Sequence, residues 1–158
     1  MQTRTRTCDG NISRRKLRWN RFANGKESET LSHNRDSNRA LVVDDVPEIC
    51  RLNGELLMDL DFDVDVAKDG IIAWELIEQN EYDLIITDNC MPRMSGVELL
   101  KKLHVSRKFI PTIMATGTMP TKEVTCQPWF QIVTTLIKPY TLEEFLTAVK
   151  RSIRKSST

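Results

Sequence analysis

The chain has 158 residues, 40% of them hydrophobic, which is enough to bury one ordinary globular core with little left over for a second. No apolar run approaches the roughly 18 residues needed to span a membrane, and the N-terminus lacks the apolar stretch of an export signal. The 23 Lys and Arg balance 22 Asp and Glu, but unevenly: up to Arg39 there are ten basic and four acidic residues, and beyond it 13 basic and 18 acidic. A basic tail therefore precedes an acidic domain.

Residues 1–38 are polar, with only scattered apolar positions such as Ile12, Leu17, Trp19 and Phe22. Such a segment buries too little surface to offset its ordering entropy, so a disordered leader is expected, with a tail for nucleic acid or an anionic surface as the alternative. The four cysteines, Cys8, Cys50, Cys90 and Cys126, lie far apart without a CxxC pair. Neither a zinc site nor a disulfide framework fits that spacing, and they read as reduced thiols of a cytoplasmic protein.

After Arg39 strands and helices alternate. Ala40-Leu41-Val42-Val43 is a continuous apolar run suited to a strand covered on both faces, and it ends at Asp44-Asp45. Pro47 fits the first turn of a helix whose Ile49, Leu52, Leu56 and Leu60 make an apolar stripe. Phe62-Asp63-Val64-Asp65-Val66 alternates strictly, which predicts a strand with one wet face, at the edge of a sheet. A helix over about 70–80 turns Ala73, Leu76 and Ile77 inward, and Asp83 to Asp88 forms another buried strand ending in an acid.

Ser95 can cap a third helix that turns Val97, Leu100 and Leu103 to one side. Ile110 to Thr116 and Ile132 to Ile137 read as strands. Between them Pro120 and Pro128 leave room only for a short or irregular helix. The last helix, about Leu142 to Ile153, has a stripe of Leu142, Phe145, Leu146, Val149 and Ile153, with basic residues gathered at its C-terminal end. Strand then helix, about five times over, predicts an α/β fold: a parallel sheet with helices on both faces, its ligand site at the carboxyl ends of the strands.

Those ends carry Asp44-Asp45, Asp88, Thr116 and Lys138. Singly, each has a plainer explanation: a turn acid, a helix cap, a strand exit, a solvated lysine. Together they place three carboxylates at one sheet edge, where they repel one another unless a cation is present. Oxygen donors suit a hard ion such as Mg²⁺. A carboxylate can be the nucleophile for a phosphoryl group, with a lysine and a small hydroxyl binding the remaining oxygens.

The segments Leu41-Val42-Val43-Asp44-Asp45, Asp88-Asn89-Cys90-Met91-Pro92-Arg93-Met94-Ser95-Gly96, Met114-Ala115-Thr116-Gly117 and Ile137-Lys138-Pro139-Tyr140 resemble the receiver domain of bacterial two-component response regulators, of the stand-alone type. The resemblance covers about residues 39–155. It implies a doubly wound, flavodoxin-like sheet of five parallel strands in the order 2-1-3-4-5. It also implies that Asp88 is the phosphoacceptor, that Asp45 ligates Mg²⁺ directly and Asp44 directly or through water, and that the backbone carbonyl of Cys90 is a third protein ligand. Thr116 would move to bind the phosphoryl group, Gly117 would leave room for it, Lys138 would pair with it, and the Lys138–Pro139 bond would be cis.

By the same resemblance, the expected partners are a sensor histidine kinase or phosphotransfer protein and an effector protein, reached by protein contact because the chain ends just after the last helix. Neither a membrane nor a nucleic acid is expected as a partner. The protein is expected to be a phosphoacceptor rather than an enzyme, at most catalysing its own phosphorylation and dephosphorylation. Two features depart from the pattern. Thr135 stands where many receivers carry a switching aromatic residue, and the proline-bracketed 118–130 segment replaces a regular fourth helix. Two rival readings are an inert receiver-like scaffold or nucleic-acid binder acting through the basic tail, and a Mg²⁺-dependent phosphohydrolase. The latter usually needs an acid two residues after its nucleophile, where this chain has Cys90.

Overall fold

The computed structural model describes residues 17–19, 38–130 and 133–155. Its strands are β1 (Leu17–Trp19), β2 (Asn38–Val43), β3 (Phe62–Ala67), β4 (Leu84–Thr87), β5 (Thr112–Thr116) and β6 (Thr134–Ile137). The helices are α1 (Pro47–Asp59), α2 (Gly70–Gln79), α3 (Gly96–Val105), α4 (Lys122–Thr125) and α5 (Leu142–Lys155). All the strand pairs are parallel, and the sheet runs β1-β3-β2-β4-β5-β6. Without β1 this is the expected five-stranded order. β1 comes from the segment read as a disordered leader, and it pairs Leu17, Arg18 and Trp19 with Val64, Asp65 and Val66. The other leader residues up to 37 lie outside the described residues, as does Ile132 of the last predicted strand.

Alternate residues of each strand serve opposite faces. Ala40, Val42, Val64, Val66, Leu84, Ile86, Ile113 and Ala115 pack under α1 and α5, around Leu57, Phe145 and Val149. Leu41, Val43, Ala67, Ile85 and Met114 pack under α2 and α3, around Ala73, Ile77, Leu99 and Leu103. Both faces are dry, which is why the strands read as continuous apolar runs.

The alternating strand is the exception, and its predicted wet edge is not found. β3 lies between β1 and β2, and Asp65 is buried. The Arg39 guanidinium donates to Asp65 Oδ2 from Nε at 2.8 Å, and Tyr82 Oη donates to the same oxygen at 2.8 Å. Arg39 also lies 5.1 Å from the centre of the Tyr82 ring. The polar side of the alternation is thus closed by an ion pair rather than by water.

Capping matches the local chemistry. Ser95 Oγ accepts from the Glu98 backbone N–H at 3.2 Å, and the Glu98 carboxylate accepts from the Ser95 N–H at 2.8 Å, a reciprocal capping box that holds Glu98 below the usual carboxylate range. Thr141 and Glu144 repeat it at α5. α4 is a single turn, as the prolines require.

Two predicted stripes are corrected. In α1 the buried residues are Cys50, Asn53, Gly54 and Leu57, while Leu52 is 54% exposed. Three of these four are small or polar, so the packed face is offset from the row of largest residues. In α5, Leu142 is 55% exposed because it sits in the first turn, before the helix reaches the sheet.

These packing differences are measurable. Phe145→Ala should lower stability by about 3–5 kcal/mol in urea unfolding, whereas Leu142→Ala should stay within about 0.5 kcal/mol of the parent. Tyr82→Phe removes one O–H donor from a buried carboxylate and should cost about 1–3 kcal/mol in the same assay.

Candidate functional site

The parallel registers bring the strand ends together. Val43 lies beside Thr87, Thr87 beside Met114, and Thr116 beside Ile137, so the residues that follow converge on one edge. Backbone bonds carry the ladder one step further: Asp44 N–H donates to Ala67 O at 3.1 Å, Asp88 N–H to Val43 O at 2.9 Å, and Lys138 N–H to Thr116 O at 2.9 Å. The backbone positions of Asp44, Asp88 and Lys138 are therefore set by the sheet itself.

Carboxylate oxygens of Asp44, Asp45 and Asp88 lie within 4.8 Å of one another. Asp44 is 3% exposed and Asp88 9%, while Asp45 faces solvent. Lys138 Nζ sits 2.6 Å from Asp44 Oδ2 and 3.6 Å from Asp88 Oδ2. The Lys138–Pro139 peptide is cis, as expected. Asp44 Oδ1 also accepts from Val46 N–H at 3.0 Å, and Asp88 Oδ1 from Asn89 N–H at 2.7 Å. One lysine cation faces three carboxylates, so the donor set retains surplus negative charge presented wholly by oxygen. That fits a hard divalent cation such as Mg²⁺.

Burial pushes the Asp44 carboxyl above the usual range, against the hydrogen bond from Lys138 that favours its ionised form. Burial also works against the Lys138 cation, but its hydrogen bond to Asp44 and the charges of Asp44 and Asp88 more than offset this and hold its pKa above that of a free lysine. Cys50 donates from Sγ to Asp44 O at 3.2 Å; its burial, with the Asp44 charge next, pushes the thiol up to about 12 and leaves it inert.

Thr116 is buried, with its hydroxyl engaged in its own turn: Oγ1 donates to Thr118 O at 3.1 Å and accepts from Thr118 N–H at 3.3 Å. Gly117 is exposed, and a Cβ there would meet nothing within 4 Å. Cys90 is exposed, and its thiol takes no part in the acid cluster. Thr135 lies half-buried in β6. The glycine of the Asp88 segment has a steric reason, since a Cβ at Gly96 would overlap the Asp88 carbonyl oxygen.

Sequence reasoning missed the residues that brace the site. Asp69 is buried; its Oδ1 caps α2 by accepting from Ile71 and Ile72 N–H at 2.9 and 3.0 Å, and its Oδ2 takes the Arg93 guanidinium. Arg93 has a left-handed φ of 65°. Gly70 N–H donates to Met94 O at 3.3 Å, and a Cβ on Gly70 would lie 2.7 Å from that oxygen. The loop after Asp88 is thus pinned to the start of α2. Tyr140 Oη donates to Asn53 Oδ1 at 2.9 Å, tying the turn after Lys138 to α1. The signals were an Asp before a helix-starting Gly, and a polar Asn on the packed face of α1.

The response regulator receiver domain model matches residues 40–150. A probable transcriptional regulator, ycf29, of Porphyra purpurea is 36% identical over 105 residues, 65% of this chain and 50% of that protein. The chain therefore spans half the length of that relative. Chemotaxis protein CheY-3 of Vibrio cholerae is 29% identical over 106 residues, covering 65% of this chain and 82% of that protein. Among solved structures, response regulator protein TrrA of Thermotoga maritima, in complex with Mg²⁺ and BeF, aligns with a TM-score of 0.62 at 28% identity, over 73% of this chain and 98% of that one. The chain belongs to the response regulator receiver domain family, whose members act in phosphorylation-dependent signalling.

Proposed function

We propose that Asp88 takes a phosphoryl group from a phosphohistidine on a sensor kinase or phosphotransfer protein, and that the modified domain signals in the cytoplasm by contact with an effector protein. The observation that carries this reading is the meeting of Asp44, Asp45 and Asp88 within 4.8 Å, with Lys138 3.6 Å from Asp88. A carboxylate oxygen of Asp88 attacks phosphorus, the P–N bond breaks, and the departing imidazole takes a proton. The product is a mixed anhydride, and water returns it to carboxylate and phosphate. Lys138 offsets the charge on the phosphoryl oxygens. Thr116 leaves its bonds to Thr118 and donates its hydroxyl to one of them, so the phosphorylated state favours a different arrangement of the loop after β5.

Asp44, Asp45, Asp88 and the carbonyl of Cys90 are the residues that would hold Mg²⁺, which when bound neutralises charge on the phosphoryl group. The TrrA complex with Mg²⁺ and BeF supports this assignment by likeness. Among the described residues no helix is long and apolar enough to cross a membrane. The reading assigns the protein phosphoacceptor chemistry and no turnover of a small phosphate ester.

Incubation with a small-molecule phosphodonor and Mg²⁺, followed by intact mass, should show one added phosphoryl group on the wild type and none on Asp88→Ala. Equal labelling of the variant would refute the assignment of Asp88. Removing the lysine cation should separate metal binding from chemistry. Lys138→Met should bind Mg²⁺ about three- to tenfold more tightly, because a competing charge is gone, yet accept phosphoryl groups at least about tenfold more slowly. Mg²⁺ titration and the rate of mass gain measure the two effects.

A further inference from the structure

From Leu99 to Lys122 the chain has no acidic residue and five basic ones, Lys101, Lys102, Arg107, Lys108 and Lys122. This is a basic island in a domain that is otherwise acidic. Its first half, up to Thr112, borders a cavity of about 400 Å³ lined by Leu100, Leu103 and His104 of α3, by residues 108–112, and by Trp129, Val133 and Ser152, and of the five cations Lys108 is the one in the lining. The cavity lies at the amino end of β5, beside Thr112, whereas Thr116 at the other end belongs to the acidic site. At about 3.3 Å per residue the two are separated by roughly 13 Å of strand.

The rim shows what the cavity is suited to hold. Val105 and Phe109 are 72% and 70% exposed, the most exposed large apolar side chains among the described residues. The His104 and Trp129 rings face each other at 6.4 Å across one side. Two of the cations have other work: Lys102 lies 4.3 Å over the Trp74 ring, and Lys108 donates to Ile77 O at 3.4 Å. Lys101 and Arg107 are exposed, and among the described residues no acid pairs with either.

We propose that this face, formed by α3, the 105–111 turn and Trp129, docks a partner protein through an acidic segment that inserts one large apolar or aromatic side chain into the cavity. The apolar lining and exposed Val105 and Phe109 supply the anchor contact, and Lys101 and Arg107 meet the flanking carboxylates. A nucleic-acid backbone would satisfy the cations but leave the apolar cavity and rim in water, so an acidic peptide is the better match. The face lies apart from Asp88, and its binding is independent of whether Asp88 accepts phosphate.

The test is selection of peptides from a random-sequence display library on the full-length protein, with counter-selection against the double variant Lys101→Glu, Arg107→Glu. Retained phosphoryl acceptance and an unchanged circular dichroism spectrum show that the variant is folded. Enriched peptides should pair an aromatic or large aliphatic residue with neighbouring Asp or Glu. A synthetic copy should bind the wild type at least about fivefold more tightly than the double variant or Phe109→Ser. Its amide NMR shifts should cluster at residues 100–112, 129 and 133. The proposal fails if no such peptides are enriched, if binding ignores both variants, or if a short DNA duplex binds more tightly and loses affinity in the double variant. It also fails if the protein self-associates through this face and Phe109→Ser abolishes that association, since the occupant is then a second copy.

Discussion

The structure turns on the repulsion among three carboxylates at the end of a dry sheet. Two unit charges 4 Å apart near a protein surface cost about 4 kcal/mol, and Asp44, Asp45 and Asp88 approach within 4.8 Å. Nothing in the apolar layers beneath them offsets that cost. Lys138, in contact with Asp44, offsets part of it. The remainder is a standing demand for positive charge, which suits a hard divalent cation.

Such crowding persists only because the surrounding backbone holds it. The bonds from Asp44 to Ala67 and from Asp88 to Val43 prolong the sheet past its last apolar residue, so the backbones of these two acids cannot move apart without breaking rungs of the ladder. The loop after Asp88 is held by the Asp69–Arg93 pair and by close approach at Gly70 and Gly96. Tyr140 and Asn53 brace the far side through α1. Thr116 is the exception among the polar residues here, because its hydroxyl is bonded only within its own turn and can be released at small cost.

Most of the sheet and the acidic site were legible in the sequence because each rests on a local signal. A continuous apolar run ending in Asp, as at Leu41–Asp44 or Leu84–Asp88, states both the burial of the strand and the exit of its last side chain. What was not legible depended on contacts distant in sequence. Asp65 reads as wet until Arg39 and Tyr82 are seen to close over it. The packed face of α1 carries Cys50, Asn53 and Gly54 beside Leu57, which a count of large apolar residues misjudges. β1 is three residues within a polar stretch and is defined only by its partner strand. The direction of the Thr116 hydroxyl is a matter of one rotamer, on which composition is silent.

Strand β1 has a further consequence, for solubility. A sheet exposes unsatisfied amides and carbonyls along each outer margin, and long flat margins invite strand addition from other molecules. Here β1 covers the middle of β3, from Val64 to Val66, and is itself only three residues long. The opposite margin is β6, four residues with two threonines. Among the described residues, both rims of the sheet are therefore short, which limits the room for strand addition there.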